Sequence, residues 1–242
     1  MPALSQDASE GEQNPAAIAP STVNSVAERL QEIRPAIPDS VRLIAVTKTF
    51  SAAVVRAAYQ AGIRDFAENK VQEALEKQAN LADLADVTWH FIGHIQSNKA
   101  RKVLEHFDWI HSVDSLKLAN RLNRQAAELG KQPNCCLQVK LATDETKHGF
   151  EAAALPSLLD QLDQLNHLRI RGLMVIAPYG LPAEDNQQIF ERARTMADEI
   201  RQGDWHRIVM EELSMGMSGD FRQAIAAGST MVRIGSGLFG PR

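Results

Sequence analysis

The chain has 242 residues, 44% of them apolar, with a formal net charge of -4; it is close to the ~250 residues of one (β/α)8 barrel and long enough for a full single core. The acidic balance, with a pI near 6.0, gives no long-range attraction for nucleic acid or anionic membrane and argues against both as main partners. No apolar run approaches the ~20 residues of a membrane span, and residues 1–20 hold acids without Lys or Arg, unlike a signal peptide, so a cytoplasmic location is expected.

Residues 1–20 are rich in Ala, Pro, Ser and Gln without periodicity, which predicts a disordered tail ahead of a domain spanning 21–242. Val23, Val26, Ala27, Leu30 and Ile33 have helical spacing, and Pro35 ends that helix. From there strands and helices alternate: Arg42–Val46 then Ser51–Ala61, Asp65–Phe66 then Asn69–Leu81, Thr88–Phe91 then Asn98–His106, and Trp109–His111 then Ser115–Leu129. The second half continues with Cys135–Lys140 and Glu151–Leu165, Arg169–Met174 and Glu184–Arg201, Arg207–Glu211 and Ser218–Ala227, and Met231–Ile234 before a short final turn. Eight such units favour an α/β fold closed as a single (β/α)8 TIM barrel, with an extra N-terminal helix, over an open doubly wound sheet. Ser51, Asn69, Ser115 and Ser218 suit the first positions of helices, and Asn69 with Gln72 has capping-box spacing. The two cysteines, Cys135 and Cys136, are adjacent in a strand and so point to opposite faces as reduced thiols.

Lys48 closes the apolar run Leu43-Ile44-Ala45-Val46 and precedes a helix start, which places an amine at the carboxyl end of a buried strand, where parallel α/β folds gather ligands. A lysine at a strand end is ordinarily solvated surface, but among apolar neighbours it loses its proton more easily and attacks carbonyls to form a Schiff base. At the other end of the chain, Met231-Val232-Arg233-Ile234-Gly235-Ser236-Gly237 runs into a glycine turn suited to close backbone approach to a phosphate. Leu213-Ser214-Met215-Gly216-Met217-Ser218 adds a hydroxyl donor at Ser214, a permissive glycine and a helix start after the preceding strand. An aldehyde carrying a phosphate suits both ends. Arg233 projects to the same side as Gly235 and either reaches a cofactor ring or pairs with Glu211 or Glu212. His90 and His94 lack metal-motif spacing, Lys99, Arg101 and Lys102 read as a solvated helix face, and Met210, Met215 and Met217 read as packing residues.

Taken in order, Ala45-Val46-Thr47-Lys48, Glu68-Asn69-Lys70-Val71-Gln72-Glu73, Trp89-His90-Phe91-Ile92-Gly93-His94-Ile95-Gln96-Ser97-Asn98-Lys99, Leu213-Ser214-Met215-Gly216-Met217-Ser218 and Val232-Arg233-Ile234-Gly235-Ser236 resemble the pyridoxal phosphate homeostasis proteins. The likeness runs from about residue 22 to Arg242. It implies one barrel similar to the N-terminal domain of alanine racemase, of fold type III among pyridoxal phosphate proteins. The resemblance also implies binding of pyridoxal 5'-phosphate and a role in balancing vitamin B6 and amino-acid pools without efficient turnover. By motif, Lys48 forms the internal aldimine, Ser214 and the Gly235 and Ser236 amides hold the phosphate, Arg233 faces the pyridine nitrogen, and Asn69 and His94 lie near the cofactor. No metal is implied. Expected partners are the cofactor, amino acids and, transiently, apoenzymes that use the cofactor, with the protein a monomer. Ala67 stands where many relatives carry glycine.

Two other functions compete. An amino-acid racemase on the same barrel needs acid/base groups on both faces of the substrate, and Tyr179 is the residue here able to supply the second one; its other role is packing on Pro178 or Pro182. Tyr59 lies mid-helix and suits this poorly. A regulatory protein using the cofactor as a ligand signal is the third reading.

Overall fold

The computed structural model describes residues 20–142 and 148–240, with side chains from residue 25. The expected tail therefore lies outside the described residues except for Pro20, which opens helix α1 (Pro20–Ile33). Pro35 falls in a 3-10 turn that ends this helix, as its missing N–H requires.

The repeating units are β1 (Arg42–Val46) and α2 (Ala52–Gln60), β2 (Asp65–Glu68) and α3 (Val71–Asn80), β3 (Thr88–Phe91) and α4 (Ala100–His106), β4 (Trp109–Val113) and α5 (Leu116–Leu129). There follow β5 (Asn134–Lys140), a two-residue β6 (Phe150–Glu151) and α6 (Leu159–Asp163). The chain continues with β7 (Arg169–Met174) and α7 (Ala183–Arg201), β8 (Ile208–Met217) and α8 (Phe221–Ala226), and β9 (Met231–Ile234) and α9 (Ser236–Phe239). All pairings are parallel in the order β4-β3-β2-β1-β9-β8-β7-β5, and β4 with β5 closes the ring into an eight-strand barrel. Among the described residues β6 pairs with β5 alone.

Period-two alternation builds two cores. Ala45 faces the helices in a layer with Val55, Phe66 and Val232, while Ile44 and Val46 point into the barrel with Ala67, Met174 and Met231. Cys135 joins the outer layer and Cys136 the inner one, both buried free thiols. Burial pushes the Cys136 thiol up to about 12, so it is inert at neutral pH. Phe190 and Leu122 are fully buried between helices and barrel, each stabilising the fold by about 1.5–3 kcal/mol. Among the described residues no helix is long and apolar enough to cross a membrane.

Helix starts differ from expectation at two of the four capping positions. Ser115 caps α5, accepting from Leu118 N at 3.3 Å, and Ser51 occupies the cap position of α2 without a side-chain bond. Asn69 and Ser218 do not cap the helices that follow them: α3 starts after Lys70 and α8 after Asp220. Asp220 Oδ1 accepts from Met217 N at 2.5 Å, which ends β8 and turns the chain. Gly216 allows that turn, since its φ is +93° and a Cβ there would lie 2.6 Å from the Ala224 Cβ. The helix expected over 151–165 is broken, because Glu151 extends β6 and Pro156 holds a 3-10 turn before the short α6.

Candidate functional site

A cavity of about 510 Å³ opens at the carboxyl ends of β1, β8 and β9, and its wall includes Lys48, Arg233, Gly235, Ser236, Ser218 and Asp220. The register explains the meeting of distant residues: β1 pairs β9 with Ile44 opposite Arg233, so the first and last strands bring Lys48 beside the Gly235 turn. Val46 and Ile92 supply apolar wall, and Tyr179, fully exposed, lies on the cavity edge with neither proline burying it.

Lys48 sits in a segment clamped on both sides. Before it, Thr47 is buried; its carbonyl accepts from Lys77 Nζ at 2.6 Å and its hydroxyl donates to Glu68 Oε1 at 2.6 Å. After it, the Thr49 N–H donates to Glu73 Oε1. Lys77 Nζ joins the two acids at 2.7 Å each. Burial pushes the Glu68 carboxyl above the usual carboxylate range, against the Lys77 and Thr47 hydrogen bonds. Burial also pushes Glu73 upward, but Lys77 and the Thr49 N–H outweigh it and hold that carboxyl below the usual range. Thr49 has φ 69°, the one non-glycine residue in the left-handed region among the described residues. A β-branched residue pays about 1–2 kcal/mol there, and such strain collects at functional segments.

Arg233 forms the floor. It is 3% exposed and donates from Nη1 to the Ser214 carbonyl at 2.5 Å and hydroxyl at 2.7 Å, and from Nη2 to the Val175 carbonyl at 2.9 Å. Burial lowers its pKa to about 10, so it stays charged at neutral pH. The ion pair with Glu211 or Glu212 does not form: Glu211 pairs with Arg171, and Glu212 lies 3.9 Å from Arg42 while accepting from Thr230. Ser214 is not part of the cavity wall. It is fully buried, its hydroxyl lying between Arg233 and His111. Ser218, unlike Ser214, does line the cavity, as does Ser236, and the Ser218 hydroxyl accepts from Gly235 N at 3.2 Å and Gly237 N at 3.1 Å. With its oxygen accepting twice, its own hydrogen is what it presents.

Asn69 and His94 line a separate hollow of about 430 Å³ together with Lys99. A Cβ on Gly93 would lie 2.1 Å from the Asn69 carbonyl oxygen, so only glycine lets these loops meet. The Asn69 Oδ1 is buried without a partner. His94 Nδ1 lies 2.9 Å from Asp114 Oδ2, and its ring stacks on His148 at 3.8 Å. Met210 and Met215 are buried packing residues as expected, whereas Met217 lines the Lys48 cavity. Tyr59 points away on α2, donating to Asp86 under the Arg64 guanidinium. Sequence reasoning missed Thr47, Glu68, Glu73 and Lys77 around Lys48, and His90 and His111 behind Ser214. The Glu73–Lys77 spacing of one helical turn was the available signal.

The family model for the alanine racemase N-terminal domain matches residues 22–242. The pyridoxal phosphate homeostasis protein of Synechocystis is 53% identical over 211 residues, covering 87% of this chain and 96% of that protein. Its counterpart from Escherichia coli K12 is 39% identical over 234 residues, covering 91% and 98%. Among solved structures, PipY of Synechococcus elongatus with pyridoxal phosphate bound has a TM-score of 0.85 at 55% identity, covering 89% of this chain and all of that one. Alanine racemase of Clostridium difficile, at 15% identity and a TM-score of 0.74, covers 90% of this chain and 57% of its own, and shares the fold.

Proposed function

Since the chain belongs to the family of pyridoxal phosphate homeostasis proteins, we propose that it binds pyridoxal 5'-phosphate in the Lys48 cavity and serves the balance of that cofactor and of amino-acid pools. The observation that carries this reading is the single cavity gathering Lys48, Arg233, Ser218 and the Gly235-Ser236 turn. These residues fit the group by chemistry: an amine, a hydroxyl donor beside a glycine turn, and a fixed cation. The volume of about 510 Å³ falls within the ~300–1,000 Å³ of small-molecule sites.

When bound, the cofactor supplies an aldehyde that condenses with amines and a ring that can draw electrons from an attached amino acid. Lys48 provides the amine for covalent attachment. The Ser218 hydroxyl and the Gly235-Ser236 turn hold the phosphate, while Ser214 acts behind Arg233. Arg233 faces the ring nitrogen and, as a cation, disfavours its protonation, which weakens the electron draw that racemases and transaminases need. The protein is then a holder that exchanges its cargo with amines and apoenzymes as a monomer, not a converter of amino acids. Asn69 and His94 serve the neighbouring loops that frame the mouth.

Borohydride reduction of the loaded protein followed by peptide mass mapping should find the pyridoxyl group on Lys48. Finding it only on Lys99, Lys140 or Lys147, the last outside the described residues, would refute the assignment. Incubation with single L- and D-amino acids, followed by chirality and keto-acid assays, should show no sustained turnover. Many turnovers of any one amino acid would restore the racemase reading, with Tyr179 the first residue to replace.

A further inference from the structure

Behind Arg233 a line of polar side chains crosses the barrel interior. Arg233 Nη1 donates to Ser214 Oγ at 2.7 Å, and Ser214 Oγ lies 2.8 Å from His111 Nδ1. His111 Nε2 lies 2.8 Å from His90 Nδ1, and His90 Nε2 lies 3.0 Å from Asp65 Oδ1. Ser214, His111 and His90 are fully buried. Polar groups in such a place are costly unless every one finds its partner, and here each does.

The direction of every bond follows from the two ends. A guanidinium only donates and a carboxylate only accepts. His90 must therefore carry its proton on Nε2, facing Asp65, and being neutral it accepts at Nδ1. His111 in turn donates from Nε2 and accepts at Nδ1, so the Ser214 hydrogen goes to His111 and its oxygen is left for Arg233. Burial keeps both rings neutral, lowering the pKa of His90 and placing that of His111 well below the ordinary histidine value. The reverse order fails at the far end, because a neutral His90 with its proton on Nδ1 would set a bare nitrogen against the Asp65 carboxylate.

We propose that Asp65, His90, His111 and Ser214 form one directional hydrogen-bond chain that positions the Arg233 guanidinium at the cavity floor, with His111 the positioning residue on which it depends. Ser214 becomes a stronger acceptor because its own hydrogen is given away down the line, a cooperative effect that helps keep a cation in a buried place. The chain stands on the geometry together with the neutrality that burial imposes on the two rings. Its bearing on a cofactor ring rests on the function proposed above.

Nitrogen-15 NMR of the cofactor-free protein at neutral pH should show both imidazoles protonated at Nε2 and bare at Nδ1. A proton on Nδ1 of His111, or an imidazolium at either ring, would overturn the chain. In His111→Phe the Arg233 Nη1–H should exchange with solvent roughly tenfold faster, the equivalent of one lost hydrogen bond. His111→Gln, able to accept from Ser214 and donate to His90, should restore most of the protection. Unchanged exchange in His111→Phe would overturn the positioning role, and Ser214→Ala reads the same link if His111→Phe does not fold. In the loaded protein, His111→Phe should move the pH midpoint of cofactor absorbance by about one unit. An unmoved midpoint with a released Arg233 would cut the tie to the ring, while failure to take up pyridoxal 5'-phosphate would sink the cavity reading and leave the tautomer test of the chain intact.

Discussion

The segment carrying Lys48 is held by buried charges, whereas Arg233 is held by neutral groups. Around Lys48 an ammonium bridges two carboxylates, Lys77 to Glu68 and Glu73, and these acids grip Thr47 and Thr49 on either side. Behind Arg233 the partners are a serine, two carbonyls and, further back, two uncharged imidazoles. A charge cluster is stiff while complete and costly once one member goes, because the survivors stay buried. A neutral chain loses less per link. The cavity thus joins a shoulder that fails abruptly to a floor that degrades by steps.

Lys77→Met is expected to do the most damage. Glu68 is fully buried and Lys77 nearly so, so removing the ammonium should cost about 3–5 kcal/mol in urea unfolding at neutral pH. The sign of its pH dependence follows from the two acids. Glu68, with its pKa raised in the fold, contributes most below the ordinary glutamate value and loses that contribution as pH rises through its folded pKa. Glu73, with its pKa lowered, contributes above the ordinary value and loses that as pH falls through its folded pKa, so the two oppose each other in the parent protein. Without Lys77 both carboxyls lose a bond that lowered them, both protonate at higher pH, and the penalty should shrink as pH falls from neutral toward the ordinary glutamate value. A penalty that stays constant from neutral pH into the acid range would mean that packing, not charge, holds the shoulder.

Ser214→Ala should cost less, about 1–3 kcal/mol by the same measurement. It strips His111 Nδ1 of a donor and takes one bond from Arg233, which keeps the Ser214 and Val175 carbonyls. A loss as large as that of Lys77→Met would erase the contrast between the two regions.

The same contrast separates what can be read in the sequence from what cannot. The barrel was legible because its strands are apolar runs punctuated by turn residues, and Lys48, Arg233, Gly235 and Ser236 stand at the ends of the first and last of them, which closure makes neighbours. Ser214 and Ser218 are harder, since both are serines beside one strand end and only the register tells which is turned inward; Ser218 reads as a cap until the Gly235 and Gly237 amides are seen to bond it. Lys77 with Glu73 has the spacing of an ordinary surface pair, and only the fold carries α3 over Thr47. His90 and His111 are 21 positions apart, and His111 and Ser214 are 103 apart, so no local pattern records their contact.

The smallest expected effect sharpens the comparison most, because it separates charge from direction at the far end of the floor's chain. Asp65 is partly exposed, with its side chain at 22%, and Arg42 Nε stands 3.9 Å away, beyond hydrogen-bonding distance. Solvent screens a pair of that kind, so deleting the charge alone should cost less than about 1 kcal/mol. Asp65→Asn does this while its side-chain oxygen still accepts from His90 Nε2, leaving every donor pointed the same way. Asp65→Leu instead leaves that buried N–H without an acceptor and should cost about 1–3 kcal/mol. Urea unfolding of the two variants at neutral pH, read beside the histidine tautomers, decides between charge and direction. If asparagine proves as damaging as leucine, the carboxylate's charge sustains the chain, and the floor and the shoulder are held by the same kind of force after all.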